Sequence, residues 1–324
     1  MSVDSEFRPD IEGLRALAIL AVLAFHYEGA PFFAGGYIGV DVFFVISGYL
    51  ITKNVFTQAS YGDFLFRDFY IRRAGRLIPA LFFIIVLTLV GGICISSPAD
   101  LKHIGESAIA SIFSVSNIYF WSQAGYFDTS AIQKPLLHTW ALSVEWQFYL
   151  LWPAVVVLLV RYLKNYKYAI VALGAMGVLS FFAAELVMGR DAPGAFYLTP
   201  YRIGEFALGA IFALIPLLRS NLLWIRNGLV LLGFSLIFFA VFGYSETTRF
   251  PGVAALIPCV GAVLLIRFGE HSIASPVMTN RFVVGLGRVS YSLYLVHWPL
   301  YVFARQWYGS DFGLGGNLPL ASFH

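Results

Sequence analysis

Seven ionisable residues stand inside or at the edge of apolar runs in this chain: Arg15, His26, Asp41, Glu145, Arg202, Glu205 and His297. Charged groups in such runs are costly and mark substrate or proton paths. A histidine with a carboxylate beside it can take a proton from a hydroxyl, because the carboxylate fixes the tautomer and stabilises the imidazolium. His26 is therefore the candidate base, with Glu145 as a candidate orienting carboxylate and His297 as a second candidate catalytic group. Arginine suits a phosphate or carboxylate. That makes Arg15 a candidate substrate contact, with Asp41, Arg202 and Glu205 as further binding candidates. Arg72, Arg73 and Arg76, with Arg67, form a basic run that reads as a topology signal against anionic headgroups. The same run also suits a cytosolic nucleotide-like phosphate.

Each of these has a plainer reading. Arg202 and Glu205 are three residues apart and equally suit a structural ion pair. His297 precedes Trp298 and Pro299 and suits the backbone that the proline frees. Asp41 follows Gly35, Gly36 and Gly39 and suits a helix cap, and His26 also suits packing near the interface. Motifs of soluble enzymes are missing: there is no G-x-S-x-G, no P-loop, no H-E-x-x-H and no His or Cys spacing suited to a metal. No bound cofactor, metal or nucleic-acid partner is expected. Cys94 and Cys259 both lie in apolar runs, so a disulfide framework is not expected either.

The elements that must position these groups follow from composition. Of 324 residues 59% are apolar and 12% are charged, against about 45–50% and about 25% in soluble domains. Apolar surface on that scale can be hidden only in lipid, which excludes disordered, fibrous and cytosolic proteins. Runs long enough to cross fall at 11–30, 37–56, 77–96, 139–160, 168–187, 199–217, 228–244, 252–267 and 284–304, so an all-α bundle of about nine spans is expected. The stretch 104–122 carries Glu106, Asn117 and several serines and reads as interfacial or re-entrant. With a cytoplasmic N-terminus, fourteen of the 21 Lys and Arg fall on the inner side and five on the outer, and Arg15 and Arg202 lie within spans. That bias fixes the orientation. Residues 1–305 are expected to form the transmembrane domain and 306–324 a polar tail that reads as a truncation before a further span or domain.

Within that frame Arg15 and His26, eleven residues apart, return to within about 20° of one helix face while standing about 16 Å apart along its axis. Counting from span ends at 1.5 Å per residue places His26 at about 22 Å, Glu145 at about 18 Å and His297 at about 20 Å above the inner surface. The agreement in depth suggests one polar cavity in the outer half, with Arg15 below it.

The segments F-R-P-D-I-E-G-L-R-A-L-A (7–18), G-V-D-V-F-F-V-I-S-G-Y-L-I-T (39–52), F-Y-I-R-R-A-G-R-L-I-P-A (69–80), H-T-W-A-L-S-V-E-W-Q-F-Y-L (138–150), R-I-G-E-F-A-L-G (202–209) and S-Y-S-L-Y-L-V-H-W-P (290–299) resemble, in that order, the acyltransferase-3 family. These are integral-membrane O-acyltransferases and include bacterial O-antigen and peptidoglycan acetylases. The resemblance implies transfer of an acyl group, usually acetyl from cytosolic acetyl-CoA, to a hydroxyl of a cell-surface or exported glycan beyond the inner membrane. The family's paired basic residue and histidine fall on Arg15 and His26, its membrane glutamate on Glu145, its arginine–glutamate pair on Arg202 and Glu205, its late histidine on His297, and its R-R-x-x-R on Arg72, Arg73 and Arg76. One departure is Trp146, where the family usually has a second acidic residue. Family members commonly carry a tenth span, and some a further span and an extracytoplasmic hydrolase-like domain.

The expectation is thus an acyltransferase in which acyl-CoA, acetyl or another, is a co-substrate rather than a bound cofactor. A glycan or lipid-linked glycan is the acceptor and the bilayer the surroundings. His26 either deprotonates the acceptor hydroxyl or is itself acylated. The rival is a proton-coupled transporter of a small anion or sugar, using the same intramembrane groups as a relay. The sequence leaves the acceptor sugar and the oligomeric state open.

Overall fold

The computed structural model describes residues 7–27, 31–124, 133–163, 165–216, 223–245 and 247–308. Among these there is no strand. The helices are α1 (Pro9–His26), α2 (Gly39–Tyr61), α3 (Phe66–Ile95), α4 (Pro98–Ile112), α5 (Ser116–Gln123), α6 (Thr139–Tyr162) and α7 (Tyr166–Met188), followed by α8 (Ala192–Tyr197), α9 (Ile203–Leu214), α10 (Leu223–Gly243), α11 (Leu256–Phe268), α12 (Ser275–Met278), α13 (Arg281–Arg288) and α14 (Ser290–Tyr308). Five of them, α2, α3, α6, α7 and α10, are long and apolar enough to cross a membrane, and α9 and α11 are shorter apolar helices. The chain is a multi-pass helical membrane protein.

Burial separates the central helices from the peripheral ones. In its most apolar window α2 is 72% buried, whereas α3, α7 and α10 are each 28% buried. The peripheral helices turn Phe82, Phe83, Leu87, Leu179, Phe182 and Phe239 outward, as helices hydrophobic all round do when one side meets lipid. At about 1.5 Å per residue the 30 residues of α3 run about 45 Å, longer than a hydrocarbon core of about 30 Å. Its first turns, with Arg67, Arg72, Arg73 and Arg76, can therefore reach the headgroup level while Leu77 to Ile95 stay in the apolar layer.

Close helix contact relies on small residues, as is usual where lipid offers no hydrophobic drive between helices. A Cβ on Gly48 of α2 would overlap the Phe206 carbonyl, and one on Gly209 of α9 would overlap the Val45 carbonyl. Their absence lets α9 lie directly on α2, which carries Arg202 and Glu205 to Asp41.

Among the described residues each expected span contains helix, with three differences. The spans expected at 199–217 and 252–267 contain helices of only 12 and 13 residues, α9 and α11, each entered through a 3₁₀ turn, Thr199–Tyr201 and Val253–Ala255. The span expected at 284–304 is divided, because α13 ends at Arg288 before α14 begins at Ser290. The stretch 104–122 is also two helices. Ser114 adopts a left-handed φ of 56°, and the Val115 amide bonds the Ala110 carbonyl, closing α4 as left-handed C-terminal residues do. At about 1.5 Å per residue neither α4 nor α5 is long enough to cross alone. Its serines serve a hydrogen-bonded seam: Ser111 and Ser116 meet Thr139, Ser116 meets Ser143, and Gln147 donates to the Ser114 carbonyl and to Asn117. Of the tail expected at 306–324, residues 309–324 lie outside the described residues.

Candidate active site

Among the described residues, two of the cavities hold the candidate groups. The outer one is lined by His26, Asp41, His138, Arg202, Tyr294 and Trp298, among others. His26 ends α1, and its Nδ1 lies 2.9 Å from the Val22 carbonyl. A carbonyl can only accept, so Nδ1 carries the proton and Nε2 keeps its lone pair. His297 is fixed in the same way, with Nδ1 donating to the Tyr294 carbonyl at 2.6 Å. Its Nε2 is then an acceptor, 3.3 Å from His26 Nδ1. The two imidazoles form a directed pair: His26 offers a basic Nε2, and its Nδ1 proton is shared between a backbone carbonyl and a second imidazole. Trp298 packs on the His26 ring at 4.8 Å between centroids. His138 completes the cluster, buried, with its ring centroid 5.7 Å from that of His297.

Beside the histidines is a buried ion triad. Arg202 Nη2 donates to Asp41 at 2.8 Å and to Glu205 at 3.2 Å, and Arg202 Nε is 2.9 Å from Glu205. All three side chains are at most 1% exposed. Phe44, Trp140, Phe196 and Phe250 each face the guanidinium at 5.6 Å. Asp41 and Arg202 border the outer cavity, whereas Glu205 stands behind them. Two carboxylates share one guanidinium here, and its Nη1 is left without a hydrogen-bond partner.

The inner cavity is lined by Arg15, Arg73, Arg76, Glu145, Tyr149 and Tyr291 among others. Three guanidiniums around one space suit a polyanion. Arg15 is also 3.4 Å from Glu12. Glu145 accepts from Ser47 Oγ at 2.5 Å and from the Tyr149 hydroxyl, and the Tyr149 ring carries the Arg73 guanidinium at 4.5 Å. Glu145 thus orients the ring beneath one of the cavity's arginines. Arg72 is exposed on α3 and borders neither cavity.

The structure brings together His26, His297, Asp41, Arg202 and Glu205, and separately Arg15, Arg73, Arg76 and Glu145. The sequence suggested one cavity with Glu145 near His26; the two residues border different cavities, and Glu145 is in the inner one. The cause is the start of α6. His138 and Thr139 are already 4% and 1% exposed, so α6 begins inside the protein rather than at its outer surface. Glu145 is seven residues beyond His138 and hence about 10 Å deeper. The orienting partners of His26 are instead the Val22 carbonyl and His297. Sequence reasoning gave no role to His138, Tyr149 or Tyr294. Tyr149 was accessible from its i, i+4 spacing to Glu145; Tyr294, which borders both cavities, left no such signal.

The geometry agrees with what related sequences are. The chain is 32% identical over 310 residues to the peptidoglycan O-acetyltransferase OatA of Listeria monocytogenes, covering 91% of this chain and 49% of that protein. It is 32% identical over 324 residues to the O-acetyltransferase OatA of Staphylococcus aureus, covering 93% of this chain and 52% of that protein. The chain therefore spans about half the length of the curated relatives it matches. No solved structure is significantly similar to it. The family model described as an acyltransferase domain matches residues 8–323, and the chain belongs to the acyltransferase-3 family.

Proposed function

We propose that the protein moves an acyl group, acetyl by analogy with its relatives, from cytosolic acyl-CoA across the inner membrane to a hydroxyl of an exported or cell-wall glycan. The observation that carries this reading is the pair of cavities set end to end. An arginine-lined cavity lies at the end that the charge bias puts inside, an imidazole-lined cavity lies toward the other end, and Val40 and Tyr294 belong to both walls. Along α1 the distance from Arg15 to His26 is about 16 Å at 1.5 Å per residue, a span that a thin pantetheine arm can bridge while its phosphates stay among Arg15, Arg73 and Arg76.

In the outer cavity His26 Nε2 accepts the proton of the acceptor hydroxyl. The oxygen attacks the thioester carbonyl, the C–S bond breaks, and the thiolate leaves with the proton returned by His26. His297 Nε2 and the Val22 carbonyl hold the Nδ1 proton throughout, so the imidazolium forms in a fixed orientation. Asp41 and Arg202 form the wall against which the acceptor would lie.

The test is purified protein in nanodiscs with radiolabelled acetyl-CoA, wild type beside His26→Ala, following CoA release and label on protein or glycan. Release that disappears in the variant is expected. A variant that retains full activity refutes the role of His26, and a folded wild type that never binds or consumes acetyl-CoA favours proton-coupled transport instead.

A further inference from the structure

His138 is buried at 4% exposure, it borders the cavity that holds His26, and neither of its ring nitrogens has a hydrogen-bond partner. A buried polar group left without a partner is costly, and a binding site is one place where such a cost persists. Its backbone is fixed, because the Tyr294 hydroxyl donates to the His138 carbonyl at 2.8 Å. It also occupies the N-cap position of the 24-residue α6, so the positive end of that helix lies beside it.

Resting on the acyl-transfer reading above, we propose that His138 is a further catalytic residue, whose imidazole N–H donates to the acyl carbonyl oxygen of the bound thioester and holds the oxyanion formed on attack. The reaction needs one base and one donor. His26 supplies the lone pair, and the two imidazoles of the directed pair have both N–H groups committed to carbonyls. The charge of Arg202 is balanced by Asp41 and Glu205, although its Nη1 has no hydrogen-bond partner. His138 is the imidazole of the cluster whose N–H is uncommitted, and a neutral imidazole beside a helix N-terminus is a competent carbonyl polariser. As the hydroxyl oxygen bonds to the carbonyl carbon, its proton goes to His26 Nε2 and the carbonyl π pair moves to the oxygen facing His138. As that pair returns, the C–S bond breaks and the thiolate takes the proton from His26.

A structural alternative is specific enough to separate. Pro299 has no amide hydrogen for the Leu295 carbonyl, and that carbonyl lies near the His138 ring without meeting hydrogen-bond geometry. A merely structural His138 would cap it. The experiment is acetyl-CoA turnover in nanodiscs for wild type, His138→Ala, His138→Gln, Pro299→Ala and the His138→Ala/Pro299→Ala double variant, with thermal unfolding of each. Removing one oxyanion donor is worth roughly 10²–10³ in kcat. His138→Ala is expected to lose that factor with the KM for acetyl-CoA within about twofold of wild type, Gln to recover part of it, and the loss to be the same in the Pro299→Ala background. The proposal is overturned if His138→Ala stays within about threefold of wild type, if folded His138→Gln is as inactive as folded His138→Ala, or if the loss vanishes in the Pro299→Ala background, which would make the ring a carbonyl cap. A wild type that releases no CoA overturns the acyl-transfer reading itself, and the proposal with it.

Discussion

Removing Arg202 should destabilise the protein far more than removing any other single charge, and neutralising its partners should reverse much of the loss. The guanidinium lies 2.8 Å from Asp41 and 2.9 Å from Glu205, with all three side chains at most 1% exposed. Arg202→Met leaves two buried carboxylates that had both contacted the same Nη2, with no counter-charge. Breaking a buried ion pair by removing one partner costs roughly 3–5 kcal/mol. With about 2–4 °C of Tm per kcal/mol for a chain of this general size, that corresponds to a drop of roughly 6–20 °C. The assay is thermal unfolding in nanodiscs, read by the emission of the seven tryptophans. The control is the triple variant Arg202→Met, Asp41→Asn, Glu205→Gln, which keeps the shapes and removes the stranded charge. It should regain more than half of the lost Tm, because the penalty resides in the unpaired carboxylates rather than in the missing bond. An Arg202→Met protein within about 2 °C of wild type, or a triple variant no better than the single one, would refute the reasoning.

The two remaining predictions concern the cavities. Arg73→Ala and Arg76→Ala should each raise the KM for acetyl-CoA by roughly tenfold with kcat largely kept, since phosphate contacts bind ground and transition states alike; Arg72→Ala, exposed and outside the cavity, should stay within about twofold, and an equal cost at Arg72 would count against the assignment. Val40→Trp should narrow the wall shared by the two cavities, leaving acetyl-CoA binding in place while CoA release falls by roughly a hundredfold, the scale of a displaced reacting group; undiminished turnover would mean that the arm takes another path.

Which parts of this arrangement could be read from the sequence depends on whether a helix runs unbroken between the residues compared. Arg15 and His26 lie on one continuous helix, so the 100° rule gives their common face and separation directly, and each borders the cavity on its own level. Glu145 fails for the complementary reason: its depth was counted from a helix end assumed to lie at the surface, whereas α6 starts among buried residues. His138 was invisible on the same account, because a histidine just before a span reads as a surface residue until the span is seen to begin below the surface. The serines of 104–122 counted correctly against a single crossing, but not toward the seam with Thr139, Ser143 and Gln147, since nothing in a linear pattern says which helix will meet them. Arg202 and Glu205 showed their own pairing by spacing. Asp41 as the third member required the α2–α9 contact that Gly48 and Gly209 permit.

That contact bears on why the chemistry would lie where it does. On the proposed reading the donor is a large polyanion that must not cross, and the acceptor is a glycan beyond the membrane, so only the thioester should pass. A wall made of Val40 and Tyr294, between a cavity of guanidiniums and a cavity of neutral imidazoles, provides that asymmetry: the phosphates gain nothing by leaving Arg15, Arg73 and Arg76, while the uncharged arm can extend beyond them. The directed His26–His297 pair then matters in a second way. A His–carboxylate pair would add a fixed negative charge at the point where an oxyanion must form, whereas a second imidazole holds the same proton in the same place without that charge. The two carboxylates nearest the site are engaged by Arg202, and Glu145 lies about 10 Å deeper than His138 along α6. Carboxylates are thus paired or kept away from the place where the acyl carbonyl would accumulate charge, which is the electrostatic arrangement that transfer to a hydroxyl requires.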